Sequence, residues 1–253
     1  MRLTVLGSGA SYPGPGRACA GYLVEDDGAA VLLDCGNGAA SNLARVLRPE
    51  ALGAVFITHA HVDHFADVYV LQAALRYAPD GPAGPVDMFA APGVLEALLA
   101  PLSERGRRDM SEAFAARELR HGVPVFVGGL AVEPIRTTHA GETLALDIRD
   151  CAGRRIVYTS DSVASPALAD AARGADLLLA DATLPEEYAG KAPHMTAREA
   201  GALARAAGVE VLVLTHLWPS VDRSQAARDA GCEFGGRIIV AEEMMAIDLV
   251  EEV

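Results

Sequence analysis

Cysteine is scarce and scattered: Cys19, Cys35, Cys151 and Cys232 are the only four in 253 residues, and no two form a C-x-x-C pair. That spacing argues against a thiolate zinc site and a disulfide framework, leaving reduced, mostly buried thiols as the expectation. No apolar run approaches the roughly 18 uncharged residues of a membrane span. The opening residues, MRLTVLGSGASYPG, lack a hydrophobic segment ending in a small-residue cleavage site, so the expected location is the cytoplasm. Positive charge is also short. With 21 Lys and Arg against 34 Asp and Glu, the net charge of −13 repels polyanions, and long nucleic acid is not an expected partner. A small anionic substrate remains compatible, because bound cations can dominate the local field of a site.

What is present reads as one α/β domain over residues 1–253. Apolar, β-rich runs occur at 2–7, 20–25, 29–36, 53–58, 86–91, 130–138, 144–150 and 154–161. Further runs at 175–182, 209–216 and 236–243 each follow an Ala-rich stretch of helical period, at 164–173, 196–207 and 222–230. Closely spaced early strands, joined by turns such as EDDG, predict antiparallel sheet; the later alternation predicts α/β units. Residues 77–87, dense in Gly and Pro, are expected to form a surface loop.

Histidine is rationed to seven residues, yet three of them stand with an aspartate in the six positions His59, His61, Asp63 and His64, just after the run AVFIT. Strand ends are where open sheets place their sites, and His with Asp suits Zn²⁺, Mn²⁺ or Fe. His139, Asp161 and His216 each follow another predicted strand, so all could meet on one rim. Taken singly, a strand-end Asp such as Asp161 reads equally as a turn or helix cap. GSGAS at 7–11 lacks the third glycine of a dinucleotide loop, since Tyr12 stands there, and reads as the turn after the first strand.

The string His59 to His64 matches the H-x-H-x-D-H signature at every position, and the chain is identified as resembling the metallo-β-lactamase-fold hydrolases. The resemblance implies a four-layer αββα sandwich of two mixed β-sheets flanked by helices. It also implies two divalent metal ions, zinc first, with manganese or iron as alternatives. His59, His61 and His139 would hold one, Asp63, His64 and His216 the other, and Asp161 would bridge them. Asp63 thereby counts as ligand and catalytic residue together. LLLDCGNG is similar to the family's early Asp-Gly motif and offers Asp34 as the residue orienting a ligand imidazole.

Within that superfamily the chain resembles the ribonuclease Z branch and its small-substrate relatives. LGSGASYPGPGRACAGYLVE is similar to the branch's first strand and Pro/Arg loop. DATLPEEYAGKAPHMTAREAGALARAAGVEVLVLTH is similar to its stretch carrying a catalytic His-x-Thr before the last ligand. The resemblance implies a catalytic acid at His194, a supporting role for Asp181, where the branch usually has Glu, and a substrate contact at Thr196. Arg17 could meet a substrate phosphate and Trp218 could wall the pocket or stack on a base; the plainer readings are a solvated arginine and ordinary packing. His194 could equally sit at the start of the helix near Thr196, and Asp34 could be only a turn residue. Asp161 follows His139 by 22 positions, too few for the tRNA-gripping arm that bacterial ribonuclease Z inserts there.

A dinuclear phosphodiesterase for a small phosphodiester, cyclic AMP first, is therefore the leading expectation, with a homodimer implied by the relatives. The alternatives are tRNA 3′ processing, thioester or lactone hydrolysis on the same fold, and a metal-containing binding protein without turnover.

Overall fold

A computed structural model describes residues 1–249 of the chain. Fourteen strands form two seven-stranded sheets. The first holds β1 (Arg2–Gly7), β2 (Gly21–Asp26), β3 (Ala29–Cys35), β4 (Ala54–Ile57), β5 (Val86–Ala90), β6 (Phe114–Glu118) and β14 (Ala246–Asp248), in the order β14-β1-β2-β3-β4-β5-β6. The second holds β7 (Val125–Val127), β8 (Leu130–Arg136), β9 (Leu144–Arg149), β10 (Arg155–Tyr158), β11 (Leu177–Asp181), β12 (Val211–Thr215) and β13 (Arg237–Val240), in the order β13-β12-β11-β10-β9-β8-β7. Both sheets are mixed: β14 to β3 and β7 to β10 pair antiparallel, whereas β3 to β6 and β10 to β13 pair parallel. The early antiparallel strands and later α/β units expected from the sequence are both present. Asp27 and Gly28, at φ 40° and 79°, make the tight turn between β2 and β3.

Side-chain alternation explains the layering. In β11, Leu177 and Leu179 face the core shared with the first sheet, while Leu178 and Ala180 face helices. Val213 in β12 likewise points inward between Leu212 and Leu214, which point outward. The outer layer there is α6 (Pro166–Ala171), α7 (Ala197–Ala207) and α8 (Arg223–Gly231). Its alanines have a packing role: Ala200, Ala204, Ala226 and Ala230 are buried, and a Cβ at Gly201 would lie 2.4 Å from the Ala230 carbonyl oxygen. The first sheet is flanked by α1 (Ala39–Leu43), α2 (Val62–Phe65), α3 (Val68–Arg76), α4 (Val94–Leu99) and α5 (Glu104–Ala113). No helix among the described residues is long and apolar enough to cross a membrane.

Strands β6, β7 and β14 and helices α1 to α5 were not foreseen. FAARE in β6 has no apolar alternation, and β7 and β14 have three residues each, formed by pairing rather than by local pattern. The loop expected at 77–87 ends two residues early, where β5 begins at Val86.

Candidate metal centre

The parallel strands run their C-terminal ends to one rim, and the loops leaving β4, β8, β10 and β12 bring His59, His61, Asp63, His64, His139, Asp161 and His216 together there. Turning side chains inward at strand ends takes unusual backbone. Asp34, Ser160 and His216 all have φ between 52° and 54°, left-handed for residues other than glycine. Such strain costs roughly 1–3 kcal/mol apiece and persists only where neighbours enforce it. Gly36 gives the loop room: a Cβ there would stand 1.9 Å from the Asp63 carbonyl oxygen.

Two triads form around one carboxylate. His59, His61 and His139 offer donor atoms within 4.8 Å of one another and of Asp161; Asp63, His64 and His216 do the same among themselves. Asp161 Oδ2 lies 3.4 Å from His59 Nε2 and 3.5 Å from His139 Nε2. Its other oxygen, Oδ1, lies 3.2 Å from His64 Nε2. The carboxylate therefore shows one oxygen to each triad. The side chains of His59, His64, His139, Asp161 and His216 form the buried wall, while His61 and Asp63 open toward solvent.

The donor set fits divalent cations. His59 Nε2 and Asp161 Oδ1 are buried without a hydrogen-bond partner, an expensive arrangement unless something else satisfies them. His64 Nε2 and His216 Nε2 face each other at 3.1 Å, and His139 Nε2 faces His61 Nδ1 at 3.2 Å. Lone pairs aimed at one another ask for a cation between them.

The electrostatics agree. Burial opposes charge on His216, yet Asp161, Asp181 and Asp63 outweigh it and push the imidazolium up to about 10. His64 is raised against the same burial by Asp161 and Asp34, whereas burial pulls His59 down to about 4. Asp161 is held well below the usual carboxylate range, its burial overcome by His216, His64 and His59. These carboxylates thus draw positive charge into a largely buried site.

Supporting residues fix the ligands. Asp34 Oδ2 accepts from His64 Nδ1 at 2.7 Å, from Thr58 Oγ1 at 2.9 Å and from the Tyr158 hydroxyl at 2.8 Å, so it orients an imidazole rather than merely making a turn. The Pro193 carbonyl accepts His139 Nδ1 at 2.9 Å, and the Ser11 amide donates to Asp63 Oδ2 at 2.6 Å. Asp181 Oδ2 accepts His194 Nδ1 at 2.9 Å. The oxygens of Asp181 are further taken by the Ser162 and Thr183 amides and the Thr183 hydroxyl, so Asp181 serves hydrogen bonds, not metal. His194 sits beside the triads, its ring centroid 4.7 Å from His139 and 5.7 Å from His216.

Three expected substrate contacts lie elsewhere or are engaged. Thr196 is fully buried and caps α7, its hydroxyl accepting the Glu199 amide at 3.2 Å while Glu199 reaches back to the Thr196 amide; this corrects the expectation of a substrate contact, because the hydroxyl serves the helix. It also means that Thr196, not His194, makes the cap. Arg17 pairs with Glu243 Oε2 at 2.7 Å, tying the Pro/Arg loop to the chain's end. Trp218 is half-buried against Tyr188, centroids 6.1 Å apart, on the wall of a cavity of about 700 Å³ that also includes Leu184, Val221 and Gln225. Thr58, Tyr158, Ser160 and Thr183 were missed; the only local signals were the position of Thr58 before the first motif histidine and of Thr183 in the acidic-Ala-Thr turn.

A family model described as "Beta-lactamase superfamily domain" matches residues 29–217. The chain belongs to the beta-lactamase superfamily. It is a metal-dependent hydrolase of the metallo-β-lactamase fold, resembling the ribonuclease Z branch. The chain is 33% identical to Uncharacterized protein ML1173 of Mycobacterium leprae (strain TN), over 100% of its own length and 91% of the relative. It is 30% identical to Ribonuclease Z of Mycobacterium bovis (strain BCG / Pasteur 1173P2), covering 98% of each chain. Among solved structures, the metallo-beta-lactamase fold protein YhfI from Bacillus subtilis superposes with a TM-score of 0.88 at 25% identity, over 98% of this chain and 99% of that one.

Proposed function

We propose that this protein is a dinuclear-metal phosphodiesterase that hydrolyses a small phosphodiester, cyclic AMP being the first substrate to try. The observation that carries the reading is the bridging pose of Asp161, one oxygen toward each triad. In this reading His59, His61 and His139 hold one ion, Asp63, His64 and His216 the other, and zinc is the first candidate. Two such ions would supply water activation near neutral pH and charge stabilisation on the phosphoryl oxygens.

The chain's own residues do the rest. Asp181 fixes the His194 ring through Nδ1, leaving Nε2 to hold a proton and deliver it to the leaving oxygen as the P–O bond breaks. The cavity of about 700 Å³ that Trp218 and Tyr188 line, though touched by neither His194 nor any candidate ligand, has the volume for a nucleoside-sized group. Its lining carries Glu186, Glu187, Asp222 and Asp229 against Arg198, a charge balance that suits a neutral base and repels a polyphosphate chain.

A second reading, tRNA 3′ processing, is favoured by the 30% identity to a ribonuclease Z over nearly the whole chain. Against it stand the net charge of −13 and the stretch between His139 and Asp161, which β9 and β10 occupy. A homodimer belongs to either reading: Val62, Val70 and Tyr77, on α2, on α3 and at its end, are exposed apolar side chains that a second copy would cover. Four free thiols suit the cytoplasm.

The test is a substrate panel of bis-p-nitrophenyl phosphate, cyclic AMP, a pre-tRNA with a 3′ trailer, and thioester and lactone esters, each with wild type and His194→Ala. Cyclic AMP turnover lost in the variant supports the reading. Trailer cleavage alone moves the assignment to tRNA processing, and carbonyl hydrolysis alone overturns phosphoester chemistry. No turnover with two bound metals leaves a binding protein.

A further inference from the structure

Two threonines outside the ligand set hold matching positions. Thr58 directly follows β4 and precedes His59; Thr183 lies two residues beyond Asp181, the last residue of β11. Thr58 Oγ1 is 2.9 Å from Asp34 Oδ2, 2.7 Å from Ser160 Oγ and 3.1 Å from His59 Nδ1. Thr183 Oγ1 is 2.5 Å from Asp181 Oδ1, 2.8 Å from the His216 carbonyl oxygen and 2.8 Å from His216 Nδ1. Both hydroxyls are fully or almost fully buried, so water does not complete these sets.

A hydroxyl has one proton and two lone pairs, which decides the direction of each bond. Asp34 Oδ2 is a carboxylate oxygen that can only accept, so it takes the Thr58 proton beside those of His64 Nδ1 and the Tyr158 hydroxyl. The lone pairs of Thr58 then face Ser160 Oγ–H and His59 Nδ1. At Thr183 the carboxylate and the carbonyl both only accept, and the shorter, charge-assisted contact to Asp181 Oδ1 takes the proton, which leaves a lone pair for His216 Nδ1. Asp161 Oδ1 also lies 3.2 Å from that nitrogen, but it has no hydrogen-bond partner and so lies off the N–H direction. In both rings the proton belongs on Nδ1 and the free lone pair on Nε2. For His59 that nitrogen is the buried atom without a partner.

We propose that Thr58 and Thr183 are paired positioning residues, each relaying a carboxylate to Nδ1 of one ligand histidine and thereby aiming its Nε2 at one metal. Thr58 would serve the site of His59, His61 and His139; Thr183 would serve the site of Asp63, His64 and His216. The inference rests on the ligand assignment proposed above. It gives each carboxylate two targets. Asp34 acts on His64 directly and on His59 through Thr58, and so on both sites. Asp181 acts on His216 through Thr183 and on His194 directly, and so joins one metal site to the proton donor.

The test is a chelator-competition titration of zinc with wild type, Thr58→Val, Thr183→Val, the double variant and the two Thr→Ser variants. Loss of such an orienting partner typically weakens metal binding about 10–100-fold. Each Val variant should weaken one of the two ions by that factor and leave the other near wild type. The double variant should weaken both, and each Ser variant should restore the loss. Long-range ¹H–¹⁵N spectra of the zinc-loaded wild type should show His59 and His216 protonated at Nδ1, a readout that depends on no variant folding. An Nε2 proton on either ring overturns the proposal. So do Val variants that bind both ions normally, and Val and Ser variants that lower thermal stability alike without a selective loss of zinc. A wild type that binds no zinc fails the ligand assignment first, and the relay falls with it.

Discussion

In the first sheet, strands β14 to β3 run antiparallel before β4 to β6 turn parallel; in the second, β7 to β10 run antiparallel before β11 to β13 do the same. Each half leaves its parallel strand ends on the shared rim. Yet the first supplies four candidate ligands from a single segment, His59 to His64, that runs from the end of β4 into α2, while the second supplies His139, Asp161 and His216 from three separate loops. The first half therefore behaves as a local motif, held by a buried Asp34 in its own sheet. The second is an assembly whose ligands meet only when β8, β10 and β12 are in register. The difference teaches where damage should spread: changes in the first half act through one compact segment, and changes in the second act through the packing of a sheet.

Asp63→Ala and His64→Ala should have the largest effect, abolishing turnover on any substrate found. Metal analysis of the purified variants should show the ion of that triad lost and the other retained. Surviving activity contradicts the ligand assignment. Next, His194→Ala should lower kcat by about 10²–10⁴-fold with both metals in place, since it removes a proton donor and no ligand. A fall in metal content there would make His194 a ligand instead.

Asp34→Asn and Asp181→Asn sharpen the comparison at an intermediate scale, about 10–100-fold in metal affinity or activity. Asp34→Asn should weaken both ions. Asp181→Asn should weaken one ion and additionally lower turnover at saturating metal, because it also frees His194. Equal, indistinguishable losses in the two variants contradict the division of labour between the halves.

Protons compete with metal in the same place. His216 is pushed up to about 10 because Asp161, Asp181 and Asp63 outweigh its burial. Metal-stripped protein therefore holds a proton there, a contribution to stability that is complete below about 6.5 and lost as pH rises through about 10. Melting of the stripped protein should fall over that window, while the zinc-loaded protein stays level and zinc addition near pH 8 releases protons. A level profile without metal contradicts this. The smallest effect belongs to Thr196→Ala, which removes the α7 cap and should cost about 1 kcal/mol by denaturant melt with kcat little changed.

Much of this was legible in the chain because metal ligands are both chemically distinctive and confined to strand ends. His59, His61, Asp63 and His64 announce themselves by density, and His139, Asp161 and His216 by following apolar runs. The supporting hydroxyls carry no such mark. Tyr158 reaches Asp34 across 124 positions and Ser160 reaches Thr58 across 102, contacts that exist only once the two sheets face each other. The cap at Thr196 has a local signature, Thr-x-x-Glu, in the same residues that carry the likeness to a catalytic His-x-Thr. Strands of three residues such as β7 and β14 have no local pattern to read, since their pairing partners create them.

The most direct test of the central claim is the metal content of protein purified without added metal, by inductively coupled plasma mass spectrometry against amino-acid analysis. The account predicts about two divalent ions per chain, falling to about one in Asp63→Ala. A folded wild type that carries none, and takes up none when zinc is supplied, would contradict it.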